Sequence, residues 1–541
     1  METVADMLLA RAGDEHPGLR FEDVTLTWRD VVARCAGRAA WLRRRLDPER
    51  PPHVGVLLEN VPEFLFVLGG AALSGTVVVG VNPTRRGAEL ARDIIHTDCQ
   101  CVVTDAHHRD ELLTGLALRG VDVITIDAPE FIAPPAPLPS ELPSPGDLFL
   151  LLFTSGSTGA PKAVKMSQGR AARTSSNTSF TADDVLYCSM PLFHGNALHA
   201  SVFPSLRTGA TLVLRRRFSA SEFLPDLRTC GATFFNTVGR ALGYVLATPP
   251  SEHDRDHRVK FALGPEASPA DIRAFRKRFG IPVIEGYGSS ENAIIMVPVA
   301  GMPRGALGQP MEGLDVLVAD PTSGDECPRA ELDTDGRLLN AEVAIGELAS
   351  RNSLNRFEGY YKNPEAEAER ARGGWYWSGD LAYRDRDGWF FFAGRAGDWL
   401  RVDGENFAAG PVDRILARWE PAAAVAVFGV PDPVTGDQVM VAIELRDRAR
   451  PFDPTAFAEF LAAQPDLGTK WAPRFVRVVD RMPTTATNKI DKQPLRRDRW
   501  RTPDPVWWRP PRQFEYRPFT TEVATALEGD FAANDRSQLL T

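Results

Sequence analysis

Thr154-Ser155-Gly156-Ser157-Thr158-Gly159-Ala160-Pro161-Lys162 gathers hydroxyls, glycines and a lysine in one short stretch. Glycine lets backbone N–H groups face a single concavity, hydroxyls donate to oxygens, and the lysine adds positive charge, so the set suits a phosphate group. The spacing is not that of a Walker loop, which has a longer gap between its glycines and Ser or Thr after the lysine. Here Ser157 and Thr158 alone separate Gly156 from Gly159, and Ala163 follows Lys162. Taken alone the stretch is equally a solvent-exposed Ser/Gly turn. The apolar run Leu148–Phe153 before it and the lysine closing it favour phosphate.

These residues need elements to hold them. Residues 27–48 carry apolar side chains at helical spacing (Trp28, Val31, Val32, Trp41, Leu42). Val54–Leu58 reads as a strand, 61–73 as a helix, Val77–Val81 as the next strand, and Cys101–Thr104 and Val121–Ile126 continue the alternation. Strand, helix, strand in this order predicts a parallel sheet with crossover helices. Ala133-Pro134-Pro135-Ala136-Pro137-Leu138-Pro139 can neither continue a helix nor sit in a central strand, so it predicts an exposed connector. Later strands are expected at Ala210–Leu214, Pro282–Glu285 and Trp389–Ala393, and a joint between Arg395 and Gly404.

The 541 residues exceed what one hydrophobic core organises, so at least two domains are expected. A hydrophobic content of 43% with 25% charged residues excludes a disordered chain. A formal charge of −9 argues against nucleic-acid binding as the main role. The six cysteines are scattered, and Cys99-x-Cys101 alone does not make a zinc site, so reduced thiols in a cytoplasmic protein are expected. The N-terminal sequence lacks the basic and apolar regions of a signal peptide, and no apolar run approaches the ~20 residues of a membrane span.

Leu151-Leu152-Phe153 running into Thr154–Lys162 resembles the phosphate-binding signature of the adenylate-forming superfamily, which holds acyl-CoA synthetases, luciferases and peptide-synthetase adenylation domains. Other segments follow in the family's order. Met190–Asn196 is similar to its segment beside the acyl pocket. Glu285-Gly286-Tyr287-Gly288-Ser289-Ser290-Glu291 is similar to its adenine and magnesium turn. Trp377–Asp380 with Phe392–Arg395 resembles its ribose pair and joint, and Thr485–Ile490 its C-terminal lysine motif. The resemblance covers roughly residues 20–500. Gly394–Trp399 and Gly404-Glu405-Asn406 look most like the bacterial fatty-acyl-CoA synthetase branch, akin to fatty-acid transport proteins, and its diazotising relatives. The resemblance implies an α/β fold: a large N-terminal domain of stacked mixed sheets flanked by helices, plus a small mobile α+β C-terminal domain. The expected division is 1–394 for adenylation, 395–500 for a lid carrying Lys489, and 501–541 for a tail partly disordered or packed on the surface.

Roles follow from the same resemblance. Thr154, Ser155, Gly156, Ser157, Thr158, Gly159 and Lys162 would hold phosphates; Gly264, Pro265 and Glu266, with Gly286, Tyr287, Gly288, Ser289 and Ser290, would line the adenine. Asp380 would accept from the ribose hydroxyls and Arg395 would reach ribose or phosphate. Glu291 and Thr158 would hold Mg²⁺, which takes few protein ligands. Lys489 would steady the charge built up when an oxyanion attacks the α-phosphorus of ATP and expels pyrophosphate. His194 would gate the acyl and thiol channels, and Asn236, Thr237, Val238, Gly239 and Asn292 would line the substrate pocket. Gly397 stands where the family often places a hinge aspartate, with Asp398 next.

The chain departs from the pattern in places. Asn488 stands for the glycine before the lysine, Gly264-Pro265-Glu266-Ala267 for a more glycine-rich turn, and Ser290 and Asn292 for Thr and Gly beside Glu291. The leading expectation is an AMP-forming carboxylate–CoA ligase using ATP, Mg²⁺ and CoA on a fatty or aryl acid. The alternative is a diazotase of bacterial secondary metabolism that activates nitrite and modifies an aromatic amine. A catalytically silent ATP-binding or transport-associated protein is the third, opposed by Lys489, Asp380 and Glu291. The expected partners are small-molecule substrates and no nucleic acid, with the oligomeric state left open.

Overall fold

The computed structural model describes residues 2–540 apart from 84, 86, 117–119, 133, 154–161, 177, 266–268, 304, 334–337, 396–397, 403–404, 435, 469, 486–487 and 511–512. The chain folds as two compact units. Met1–Ala293, Asn355–Ala371 and Ala486–Asn488 form one; Ile294–Leu354, Arg372–Thr485 and Lys489–Thr541 form the other.

The first unit contains two mixed sheets. In the six-stranded one the order is Asp122–Thr125, Cys101–Thr104, His53–Leu57, Val77–Gly80, Leu148–Phe153, Ala163–Ser167. Its first five strands run parallel and only Ala163–Ser167 is antiparallel, paired with Leu148–Phe153. The strand residues of His53–Leu57, Val77–Gly80 and Cys101–Thr104 are all buried, which is why they read as unbroken apolar runs rather than alternating ones. The seven-stranded sheet runs Val283–Ile284, Phe261–Leu263, Phe234–Asn236, Val185–Cys188, Thr211–Leu214, Pro17–Phe21, Val24–Thr27. The helix Trp28–Arg45 opens with a reciprocal capping box between Thr27 and Asp30 and lies against the helix Pro62–Ser74. Gly70 permits that closeness: a Cβ there would sit 2.6 Å from Arg38 Cβ and 2.9 Å from the Ala39 nitrogen.

Cys99 and Cys101 belong to this core, and burial pushes both thiols up to about 12. Thiols that cannot ionise at neutral pH are poor nucleophiles and poor metal ligands.

In the second unit, Ile295–Val297, Ala306–Pro310, Phe390–Arg395, Trp375–Arg384, Gly346–Ser350 and Val316–Ala319 pair in that order, all antiparallel. That pairing binds 294–354 to the segment beyond 372, so compactness draws its line elsewhere than at 394/395. The hairpin Trp399–Val402 with Glu405–Ala408 follows, then a five-stranded sheet of Ala422–Pro431, Asp437–Leu445, Phe475–Val479, Val506–Trp508 and Arg517–Pro518. The tail therefore contributes strands, and its helix Thr521–Ala533 buries Phe531 among Trp500, Val506 and Leu495. Among the described residues no helix is long and apolar enough to cross a membrane.

Candidate active site

The strand Leu148–Phe153 leads to the loop expected to hold phosphates and the strand Ala163–Ser167 follows it. Thr154, Ser155, Gly156, Ser157, Thr158 and Gly159 lie outside the described residues, as does Glu266. Lys162, at the end of the loop, is described: its Nζ donates to Glu369 Oε2 at 2.9 Å.

The strands Phe234–Asn236, Phe261–Leu263 and Val283–Ile284 are parallel neighbours, so their C-terminal ends open side by side. Backbone bonds stitch the loops beyond them. Thr237 N–H donates to Leu263 O at 2.9 Å, Gly239 N–H to Pro265 O at 3.1 Å, and Gly264 N–H to Ile284 O at 3.0 Å. The segment Asn236–Gly239, expected to line the substrate, and Gly264–Pro265, expected to line the adenine, are thus one edge, with Glu285 and Gly286 continuing it. A crevice beyond the carboxyl ends of parallel strands is where open α/β sheets bind ligands.

Asn236 is fully buried and accepts from Ser201 Oγ at 2.7 Å, while its amide donates to Asn196 Oδ1. Thr237 is 3% exposed, and its Oγ1 has no hydrogen-bond partner among the described residues. Val238 is buried. His194 caps the short helix Gly195–Ala197, its Nδ1 accepting from Asn196 N–H at 3.3 Å. That bond assigns the proton to Nε2.

His199 packs beside Gly195, and nothing in its sequence spacing marks it. It lies on a π-helical turn, Leu198–Val202, with Nδ1 3.1 Å from Thr174 Oγ1. Burial, then the charge of Arg170, pushes its pKa down to about 3. It is neutral at every working pH.

Glu285 leads into the turn expected to line the adenine, and burial raises its carboxyl to about 6. Because the folded value lies above the unfolded one, its ionisation costs stability: the favourable contribution is complete below about pH 4.5 and is lost as pH rises through 6. Glu285→Gln is expected to stabilise the ATP-free protein by about 1 kcal/mol at pH 8, with no gain at pH 4. Urea unfolding at the two pH values checks this.

Tyr287–Gly288 is extended, and Tyr287 and Ser289 are half-buried while Gly288 is exposed. The turn that follows closes with Asn292 N–H donating to Ser289 O at 2.9 Å, and Asn292 has φ 51°. This left-handed conformation favours Gly, and Asn tolerates it best after Gly. Asn488 has φ 60° for the same reason. Both asparagines thus hold a left-handed conformation that the glycine expected from the resemblance would also adopt.

Glu291 is 7% exposed. Its Oε1 accepts from Tyr360 O–H at 2.7 Å, and Arg170 donates to the carbonyls of Ser290, at 3.4 Å, and Glu291. Neither Tyr360 nor Arg170 is visible as a site residue in the sequence.

The second unit holds its candidates separately. Asp380 and Arg395 are direct cross-strand partners, as an antiparallel pair of Trp375–Arg384 with Phe390–Arg395. Asp380 is 8% exposed, and its N–H donates to Ser378 Oγ at 3.1 Å. The strand bend there is fixed by Glu347, which accepts from Gly379 N–H at 2.7 Å and pairs with Arg372 at 2.6 Å. The side chain of Arg395 and all of Gly397 lie outside the described residues. Asp398 is paired with Arg496, and at 3.6 Å with Lys492. Lys489 ends a tight turn in which Thr485 N–H donates to Lys489 O at 2.8 Å and Lys489 N–H to Thr485 Oγ1 at 3.2 Å. The nearby Lys492 is committed elsewhere, to Asp413 at 2.9 Å.

The sequence matches the family described as AMP-binding enzyme over residues 9–361, and the AMP-binding enzyme C-terminal domain over 412–489. It is 50% identical to the steroid-22-oyl-CoA synthetase of Rhodococcus jostii, over 99% of both chains. It is 44% identical to the medium/long-chain-fatty-acid–CoA ligase FadD17 of Mycobacterium marinum, over 93% of this chain and 98% of that one. The fold is also that of ATP-bound MatB from Rhodopseudomonas palustris, with a TM-score of 0.78 at 24% identity over 92% of this chain and 98% of that one. With both matches in the expected order, and a full-length relative at half identity, the chain belongs to the AMP-binding, adenylate-forming enzyme family.

Proposed function

We propose that this protein is an ATP-dependent, AMP-forming CoA ligase for a bulky apolar carboxylic acid, either a steroid side-chain acid or a medium- to long-chain fatty acid. The observation that carries this reading is the 50% identity, end to end, with a steroid-22-oyl-CoA synthetase. The relatives at 44–50% identity are CoA ligases by name, so the diazotising alternative, with nitrite and an amine, is not supported.

In the first step a carboxylate oxygen bonds to the α-phosphorus of ATP and the bond to pyrophosphate breaks. In the second, the thiol of CoA attacks the acyl carbonyl and AMP leaves. Lys489 supplies positive charge where the attacking oxygen and the phosphate crowd together. Asp380 is an acceptor for ribose hydroxyls and Arg395 a donor beside it. Lys162 and the loop from Thr154 to Gly159 hold phosphates. Tyr287 stacks on the adenine, and Asn236, Thr237, Val238, Gly239 and Asn292 border the acid. His194, neutral and with its proton on Nε2, stands at the junction of acid and thiol.

Mg²⁺, when bound, would supply positive charge beside the phosphates. Glu291 fits that ion: one carboxylate oxygen is engaged by Tyr360, and the other, Oε2, has no partner among the described residues. Thr158 would be the second ligand. The need for ATP and CoA supports a cytoplasmic site of action.

The test is a panel of acids with ATP, Mg²⁺ and CoA, read by mass spectrometry of the thioester: a steroid-22-oic acid, palmitate, decanoate, benzoate and acetate, with nitrite plus an aryl amine as a separate arm. Each buried methylene contributes about 0.8 kcal/mol, so acetate should be at least about a hundred-fold poorer in kcat/KM than the preferred acid. Absence of any thioester, or nitrite-dependent AMP release, would sink this reading.

A further inference from the structure

The carboxylate of Glu291 is not merely placed by its own backbone. Tyr360 is 1% exposed, and its phenol has two neighbours of opposite kind. Arg370 Nε–H donates to the phenol oxygen at 3.3 Å, and the phenol O–H donates to Glu291 Oε1 at 2.7 Å. Because the guanidinium can only donate, the phenol must turn its proton to the carboxylate.

Tyr360 is itself tied to the strand that leaves the phosphate loop. Its residue bridges to Val164, Lys165 N–H donates to Gly359 O at 3.0 Å, and Tyr361 N–H donates to Ala163 O at 2.8 Å. The helix Pro364–Arg370 then reaches back to three points of the same assembly. Glu367 accepts from Tyr360 N–H at 2.7 Å and lies 3.2 Å from Lys165; Glu369 accepts from Lys162 at 2.9 Å; Arg370 meets the phenol. From the other side, Arg170, 3% exposed, clamps the carbonyls of Ser290 and Glu291.

We propose that Tyr360, oriented by Arg370, is a positioning residue that occupies one oxygen of Glu291 and so presents the other, in a fixed direction, as a single-oxygen ligand for the magnesium that accompanies ATP. This rests on the reading of Glu291 as a ligand of that ion. The phenol restricts rotation of the carboxylate and blocks bidentate capture of the ion. It also couples the turn Ser289–Asn292 to the strand that follows Lys162 and to the helix whose Glu369 accepts from Lys162, so both segments are set by one scaffold. Hydrogen-bonded partners behind metal ligands typically hold about ten- to a hundred-fold in metal affinity.

The experiment titrates ATP into the full-length enzyme calorimetrically, once with excess Mg²⁺ and once with EDTA, for the native chain, Tyr360→Phe, Arg370→Met, Glu291→Gln and the double variant Tyr360→Phe/Glu291→Gln. The expected result is that Tyr360→Phe lowers the Mg²⁺-dependent gain in ATP affinity by roughly ten-fold, leaves the affinity in EDTA within about two-fold, and adds nothing to Glu291→Gln. Arg370→Met should act in the same direction by less, which keeps the test open if Tyr360→Phe fails to fold. If Glu291→Gln abolishes the gain but Tyr360→Phe and Arg370→Met do not touch it, the positioning role is overturned. Equal losses with Mg²⁺ and with EDTA would make Tyr360 a packing residue and overturn it as well. If Glu291→Gln itself leaves the gain intact, the assignment of the ion to Glu291 falls, and the proposal with it.

Discussion

Lys489→Ala is expected to slow acid-dependent pyrophosphate release about a hundred- to a thousand-fold while leaving ATP binding within a few-fold of the native value. The reason is electrostatic. As the acid's oxygen approaches the α-phosphorus, negative charge accumulates on nucleophile, phosphate and leaving group together, and a fixed cation stabilises that arrangement more than it stabilises bound ATP. The fall should appear in kcat rather than in the KM for ATP. Thioester formation from a chemically prepared acyl-adenylate should be spared, because by then the pyrophosphate has gone. Lys489→Arg should recover little, since a planar fork does not replace a compact ammonium. Unchanged AMP production by Lys489→Ala would remove this residue from the adenylation step.

Asp413→Ala is expected to destabilise the second unit by about 2–4 kcal/mol. Asp413 accepts from Lys492 at 2.9 Å and from Val427 N–H at 2.6 Å, and the same lysine lies 3.6 Å from Asp398. Removing the carboxylate strands an ammonium and a backbone donor at once. Burial alone would lower the Lys492 pKa, but Asp413 and Asp398 outweigh it and raise the value. A raised lysine contributes its stability in full below its unfolded pKa of about 10.4 and loses it as pH rises through the folded value, so the penalty should be constant through neutral pH and fade only in strong alkali. Asp413→Asn, which keeps an acceptor for Val427, should cost less. Denaturant unfolding across pH measures both, and a shift under about 0.5 kcal/mol would contradict the clasp. The helix Lys492–Asp498 begins just after Lys489, so loosening the clasp also loosens Lys489.

The parallel sheet of the first unit is legible in the sequence because its strands are short, wholly apolar and separated by helices, as in Val54–Leu57 and Val77–Gly80. The cross-strand pair Asp380 and Arg395 is legible as two motifs, but not as neighbours, because register depends on the bulge between Leu381 and Ala382. Tyr360 is hidden for a different reason. It meets Glu291 across 69 residues of chain, and no local pattern records a hydroxyl whose only job is to hold another side chain. The Trp, Pro and Arg content of the tail suggests a surface strap. Trp507 and Trp508 instead pair with Val476 and Phe475, which composition alone does not reveal. In the sequence, Asn292 and Asn488 stand out as departures with chemical meaning; their positive φ gives them a conformational one.

The most direct test of adenylation is exchange of labelled pyrophosphate into ATP by the native enzyme, with Mg²⁺ and the preferred acid but without CoA. Exchange that requires the acid, needs no thiol and is lost in Lys489→Ala is the expected result. Exchange that ignores the acid, or no exchange with an acid that the enzyme converts to its thioester, would contradict an acyl-adenylate intermediate.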